Sequence, residues 1–314
     1  MQIFNTINKS NLRGDILGGV TAAIVSLPLA LTFGVASGVG PEAGLYGAII
    51  IGFFAALFGG TPTLISEPTG PMTVIMAAVV TTLIADNPDN GLAMAFTVVM
   101  IAGLTQVIFG VMRLGKYITL MPYSVISGFM SGIGCILIVM QLAPAFGSVS
   151  PSGGVMGTIS ELPSIIRNIN WVEFSMAIAT IAILYFCPKK LKNIVPPQLI
   201  ALIMISLVSV LLFQTIDINR IGQIDAKLPS LVWPEFTSDQ IKTMVLDGIV
   251  LGMLGCIDSM LTSVIADNLT RSEHKSNKEL IGQGIGNMLS GLFGGLPGAG
   301  ATMGTVVNIQ AGAT

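Results

Sequence analysis

The sequence predicts an all-α polytopic membrane protein built on an inverted repeat, with its third and tenth helices broken. Three observations predict it. Hydrophobic residues make up 52% of the 314 and charged residues only 10%, against about 25% charged in a soluble domain. The apolar residues gather into runs long enough to cross a bilayer, which takes about 20 residues. Two of those runs break in the same way, at Gly59-Gly60-Thr61-Pro62 and at Gly294-Gly295-Leu296-Pro297, and each restarts as a segment of small apolar residues.

The spans follow in order at roughly 15–37, 43–58, 70–86, 92–112, 119–143, 172–187, 195–214, 245–267, 278–293 and 301–314. The first opens at Asp15 after a polar stretch and is too long for a signal h-region, so it reads as an uncleaved span. The third and tenth begin at the two breaks. Cys135, Cys187 and Cys256 are scattered and odd in number, which argues against a disulfide framework or a metal site. The abundant glycine suits close helix packing in a membrane.

Loop charge sets the orientation. With the N-terminus inside, Lys9, Arg13, Arg113, Lys116, Lys189, Lys190, Lys192, Arg271, Lys275 and Lys278 lie on the cytoplasmic side, and Arg167, Arg220, Lys227 and Lys242 lie opposite. The positive-inside rule therefore places the N-terminus in the cytoplasm of a multi-pass protein of the cell membrane. Trp171 and Trp233 fall at the outer interface, where indoles settle.

The repeat is legible in the same runs. Asp15 opens the first span and Asp247 the eighth, and in both cases two spans later the chain reads Gly-Gly-x-Pro. Seven spans separate the two starts. An odd number reverses the direction of entry, so the copies are inverted. The chain divides into a first seven-helix repeat (1–214), an extracytoplasmic loop (215–240) and the first part of a second repeat (241–314). Three spans stand there where seven would be expected, so a longer protein is expected.

Broken backbone at membrane depth frees N–H and C=O groups, which is tolerated only where protein, water or a ligand satisfies them. Paired breaks in an inverted repeat point to a transporter binding site near the midplane. The half-helices begin at Thr69-Gly70 and at Ala301-Thr302. Each N-terminus presents free amides and about +0.5 of a charge, so two together suit a small monovalent anion without any basic side chain. Gly70, Gly300 and Ala301 are small enough for a ligand to touch backbone. The competing reading is a pair of packing kinks, and the repetition of the break weighs against it.

Asp258 is the intramembrane carboxylate. It lies three turns past Asp247, about 16 Å along the helix and so near the bilayer centre. A charge there costs about 2.5–3.5 kcal/mol on insertion scales and marks a functional candidate. Thr262, at i+4, shares its face, and Ser259 is adjacent. Carboxylate, hydroxyl and backbone carbonyl are hard oxygen ligands suited to Na⁺. A proton on Asp258, or a structural hydrogen-bonded carboxyl, are the alternatives. Every Lys and Arg falls in a loop or at a helix end, so a bound cation would relieve the repulsion between Asp258 and an anion. Glu67 reads as a loop carboxylate at a vestibule, Gln141 and Gln283 as helix-packing amides, and His274 as a solvated surface histidine. No basic patch with aromatics suggests nucleic acid. No HExxH, GxSxG, paired-Cys or phosphate-loop motif suggests an enzyme.

At these residues the chain resembles the sulfate permease family of anion transporters, and within it the sodium-dependent bicarbonate carriers. The resemblance rests on SLPLALTFGVASGVGPEAGLYGAIIIGFFAALFGG (26–60), EPTGPMTV (67–74), IGQIDAKLPSLVWPEF (221–236) and GNMLSGLFGGLPGAGATMGTVVN (286–308). It implies a seven-plus-seven inverted-repeat fold with core and gate domains, a cytosolic regulatory domain after the last helix, and a homodimer. It implies an anion site at Thr69, Gly70, Ala301 and Thr302, and a sodium site at Asp258, Thr262, Gly300 and Thr302. Several animal members carry a basic residue at the start of the tenth helix. Gly300-Ala301-Thr302-Met303 has none, which fits a cation in its place.

The expected function is a sodium-coupled symport of a small monovalent oxyanion, bicarbonate foremost, by alternating access. Na⁺ serves as the coupling ion, no cofactor is expected, and the partners are bicarbonate, Na⁺, membrane lipid and a second copy of the chain. The alternatives are a proton-coupled sulfate or dicarboxylate transporter and an anion exchanger. A membrane-embedded enzyme and a non-transporting structural element have less support in these residues.

Overall fold

A computed structural model of the chain describes Asn5 and residues 11–118, 123–149, 151, 154–188, 197–213, 218–220 and 228–314. Lys9, Lys189, Lys190, Lys192 and Lys227 of the charge tally lie outside the described residues, as do residues 119–122, 195, 196 and 214 of the expected spans and most of 215–227 in the expected outer loop.

Among the described residues twelve helices and one two-stranded sheet follow in order. They are α1 (Leu12–Ala36), α2 (Pro41–Phe58), β1 (Ser66–Glu67), α3 (Gly70–Asp86), α4 (Gly91–Val111), α5 (Gly115–Ile118), α6 (Tyr123–Ala145) and α7 (Gly154–Arg167). After them come α8 (Trp171–Phe186), α9 (Pro197–Leu212), α10 (Ile241–Thr270), α11 (Ser276–Leu292), β2 (Ala299–Gly300) and α12 (Thr302–Gln310). The fold is that of a mostly helical polytopic membrane protein. Helices α1, α2, α4 and α10 are each long and apolar enough to cross a bilayer.

The boundaries have local causes. Pro41 starts α2 at a position where its missing N–H costs nothing. Pro28 lies inside α1, and its carbonyl accepts from the Thr32 hydroxyl at 2.8 Å. Arg271 ends α10 in the left-handed conformation at φ 56°. The expected third span coincides with α3. The expected tenth span, 301–314, is corrected to the shorter α12, because the backbone turns at Ala311 and Gly312. Helix α7 is not among the expected spans. It carries Glu161, Pro163 and Arg167 and bends by 114° into α8, and the two helices together are long and apolar enough for one broken span.

The chain forms two compact units, one of residues 1–133 with 224–314 and one of residues 134–223. In the second, α8 packs on α9, Asn170 caps α8 by accepting from the Val172 amide at 3.1 Å, and Phe146 stacks on Phe174 at 5.2 Å. The first unit holds both breaks. Its core is Met72, Met76, Val79 and Leu83 of α3, Met94, Val98 and Ala102 of α4, and Met244, Leu251 and Leu254 of α10. Helix α4 lies close against α11 because both are glycine at the crossing. A Cβ on Gly103 would lie 2.5 Å from the Gly284 carbonyl oxygen, and the converse holds as well. Such small-residue contact is how membrane helices gain packing where lipid offers no hydrophobic drive.

Candidate functional site

The two breaks meet. Strands β1 and β2 pair antiparallel, Ser66 with Gly300 and Glu67 with Ala299. This ladder satisfies part of the backbone that the breaks free. It also fixes the half-helices, because the chain leaves β1 into α3 and β2 into α12 from opposite ends of the pair. Close approach depends on Gly298. A Cβ there would strike the carbonyl of Glu67.

Each half-helix starts without a side-chain cap. Thr69 and Ala301 are the N-cap residues, both in extended conformation. Their carbonyls accept the first intrahelical bonds, from Thr73 and Thr305, each at 2.9 Å. The Ala301 amide itself donates to the Ile65 carbonyl at 2.8 Å. The amides following it in the first turn of α12, and those of Gly70 and Met72 in α3, have no acceptor within their helix. Pro71 contributes none.

Helix α10 contacts both N-termini through three residues, Asp258, Ser259 and Thr262. Asp258, 4% exposed, accepts at Oδ2 from the Thr69 hydroxyl at 2.8 Å. The Gly300 amide donates to Ser259 Oγ at 3.1 Å. Thr262 donates to the Gly300 carbonyl at 2.8 Å, and its hydroxyl lies 3.0 Å from that of Thr302. The structure therefore brings Thr262, Gly300 and Thr302 into mutual contact. It places Asp258 one turn earlier on the same helix, bonded to Thr69 of the other break. The residues expected to hold the anion and those expected to hold sodium form one cluster. Among the described residues no Lys or Arg is buried.

Three sequence expectations are corrected. Glu67 is 3% exposed and belongs to β1, because the strand pair draws it out of the loop and into the interior. His274 is held rather than solvated. Its Nδ1 lies 2.6 Å from Asp267 Oδ2 and its Nε2 2.9 Å from the Ser276 hydroxyl. Gln283 is more than a packing amide, since it donates to Ser66 Oγ at 2.6 Å and to Glu279 Oε1 at 2.8 Å.

Sequence reasoning missed Ser259 as a contact of the site, and it missed Glu279 and Asn287. Glu279 is 1% exposed, although it sits beside a charged loop. The available signal was polar residues at i, i+4 and i+8 on one face of an otherwise apolar helix.

With this geometry described, comparisons bear on it. The family model described as the sulfate permease family matches residues 12–314. The bicarbonate transporter BicA of Synechocystis sp. is 63% identical over 312 residues, 99% of this chain and 55% of that protein. The putative sulfate transporter YvdB of Bacillus subtilis is 34% identical over 99% of this chain and 58% of its own length. A solved transmembrane domain of a cyanobacterial BicA superposes with TM-score 0.95 at 63% identity, covering 100% of this chain and 80% of that one. The chain thus spans about half the length of the curated relatives it matches.

Proposed function

Because the chain belongs to the sulfate permease family, we propose that it is the anion- and cation-binding part of a sodium-coupled bicarbonate symporter. Bicarbonate sits between the N-termini of α3 and α12, at Thr69, Gly70, Ala301 and Thr302. Na⁺ sits on α10 and β2, at Asp258, Thr262, Gly300 and Thr302. The protein works by alternating access in the cell membrane, with its N-terminus in the cytoplasm, and as a homodimer.

The observation that carries this reading is the Thr69–Asp258 hydrogen bond. It ties a buried carboxylate to the cap of an anion-attracting helix, with no buried Lys or Arg among the described residues to balance it. A monovalent cation supplies that balance. Hydroxyl, carboxylate and carbonyl oxygens are ligands of the hard class that Na⁺ takes. The likeness to proteins named as bicarbonate transporters supports the choice of anion. One Na⁺ with one bicarbonate moves no net charge, so the Na⁺ concentration gradient alone drives uptake.

The test is labelled bicarbonate and sulfate uptake into vesicles, with and without Na⁺ and with an imposed pH gradient, for the parent and Asp258→Asn. Na⁺-dependent bicarbonate uptake that the variant loses is expected. Uptake driven by a pH gradient without Na⁺ would replace sodium by a proton on Asp258. Unchanged Na⁺ dependence in Asp258→Asn would remove the cation site.

A further inference from the structure

One face of α11 reaches both breaks. Near its start, Glu279 Oε2 accepts from the amides of Gly60 at 2.7 Å and Thr61 at 2.8 Å, a carboxylate seated on two successive backbone donors. One turn on, Gln283 Nε2 bridges Glu279 Oε1 and Ser66 Oγ, the latter on β1. One turn further, Asn287 grips Gly298 at both ends of the residue. Its Oδ1 accepts from the Gly298 amide at 2.8 Å and its Nδ2 donates to the Gly298 carbonyl at 2.9 Å. Ser290 then donates to the Leu296 carbonyl at 2.7 Å. All four side chains are at most 1% exposed. From Glu279 to Asn287 the stripe is about 12 Å long.

The two copies of the repeat differ here. The second break is also held from α2, but there a main-chain carbonyl does it, Ala43 accepting from Leu296 at 2.9 Å. The first break has a main-chain bond as well, the Lys275 amide donating to the Gly60 carbonyl at 3.0 Å, and adds the Glu279 side chain to it. A side chain, unlike a carbonyl, can be removed by substitution.

We propose that Glu279, Gln283 and Asn287 form a positioning element that sets anion and cation affinity from behind the site. None of the three is among the residues placed against the ions. They act through the strands. Glu279 and Gln283 hold Gly60, Thr61 and Ser66, and so fix where β1 presents Thr69. Asn287 holds Gly298, two residues before Gly300, and so fixes the carbonyl that Thr262 meets. The two ends therefore have different effects. Loss of the Glu279 grip weakens the anion more than sodium, and loss of the Asn287 grip weakens sodium at least as much as the anion. The inference rests on the placement of the two ions given above.

The experiment uses the full-length transporter reconstituted in vesicles, with the variants Glu279→Ala, Glu279→Gln, Asn287→Ala and Asn287→Asp. Uptake is measured against bicarbonate and against Na⁺, per inserted protein. In parallel, hydrogen exchange is followed in the peptides spanning 59–67 and 295–301. Glu279→Ala is expected to raise the half-saturating bicarbonate concentration by about tenfold, a change of about 1.4 kcal/mol, with a smaller change for Na⁺. It should speed exchange in 59–67. Glu279→Gln should recover most of the affinity, because its amide oxygen still accepts from Gly60 and Thr61, and Gln283 can turn its own oxygen, now without a partner, toward the new amide. Asn287→Ala should speed exchange in 295–301 and raise the half-saturating Na⁺ concentration. Asn287→Asp keeps the acceptor for the Gly298 amide but turns its second oxygen toward the Gly298, Gln283 and Gln106 oxygens, so it should be no better than Asn287→Ala. Exchange unchanged in both alanine variants overturns the positioning role whatever the protein carries. Faster exchange with both half-saturation values unchanged overturns the link to affinity. Glu279→Gln as damaging as Glu279→Ala overturns the role of the backbone grip. Failure of the ion assignment itself shows separately, as retained Na⁺ dependence in Asp258→Asn.

Discussion

Thr69 and Asp258, on different halves of the repeat, share a buried hydrogen bond of 2.8 Å. Thr69 is the N-cap residue of the half-helix proposed to face the anion, and Asp258 is the buried carboxylate proposed to hold sodium. Under the proposed assignment, the bond couples the break at Thr69 to whatever occupies the carboxylate. Thr69→Val should cut bicarbonate uptake about tenfold or more, since it removes a donor and leaves a buried acceptor unpaired at about 1–3 kcal/mol. Thr69→Ser should retain most of it. Equal uptake in Thr69→Val and the parent would show that the bond plays no part in transport.

Thr262 tests the other side of the cluster. Its hydroxyl meets the Gly300 carbonyl and the Thr302 hydroxyl. Thr262→Val keeps the shape and removes the oxygen. The half-saturating Na⁺ concentration should rise about tenfold, the equivalent of about 1.4 kcal/mol. A Na⁺ titration of uptake identical to the parent's would exclude Thr262 as a ligand.

Gly298 supports a stability prediction. An added methyl would meet the Glu67 carbonyl, which is backbone and cannot swing away. Gly298→Ala should cost about 1–3 kcal/mol and lower the melting temperature in detergent. Gly19→Ala, with nothing near the added carbon and a better helix former in place of glycine, serves as the control and should not lower it.

His274 supports a negative prediction. The His274–Asp267 pair joins the end of α10 to the start of α11, away from the ion cluster. Their side chains are 8% and 19% exposed, and neither hydrogen-bonds a residue placed against the ions. His274→Gln should therefore leave uptake within about twofold of the parent. A larger loss would assign the loop a direct part in transport.

Much of the fold was legible along the chain because lipid imposes a simple code. A span must be about 20 apolar residues long, and a break in it must be satisfied. Hence the start of α3 at Gly70, the paired Gly-Gly-x-Pro breaks and the burial of Asp258 could be read directly. Helix α7 escaped because an amphipathic segment with Glu161, Pro163 and Arg167 does not resemble a span. Glu67 and Glu279 escaped because a carboxylate near the end of an apolar run reads as solvated until something is found to cover it.

By itself, the sequence determined the membrane class, the inverted repeat, the two half-helix N-termini and the carboxylate on α10. These follow from residue type and spacing, which act over one or two turns. Only the tertiary structure decided that β1 pairs with β2, that Thr69 meets Asp258, and that α11 holds both breaks through Glu279 and Asn287. Most of those contacts join residues some two hundred positions apart, and the Asn287–Gly298 contact depends on the turn the chain makes between α11 and β2. Hydrophobic periodicity carries neither kind of information, because it records which face of an element is buried and not which partner covers it.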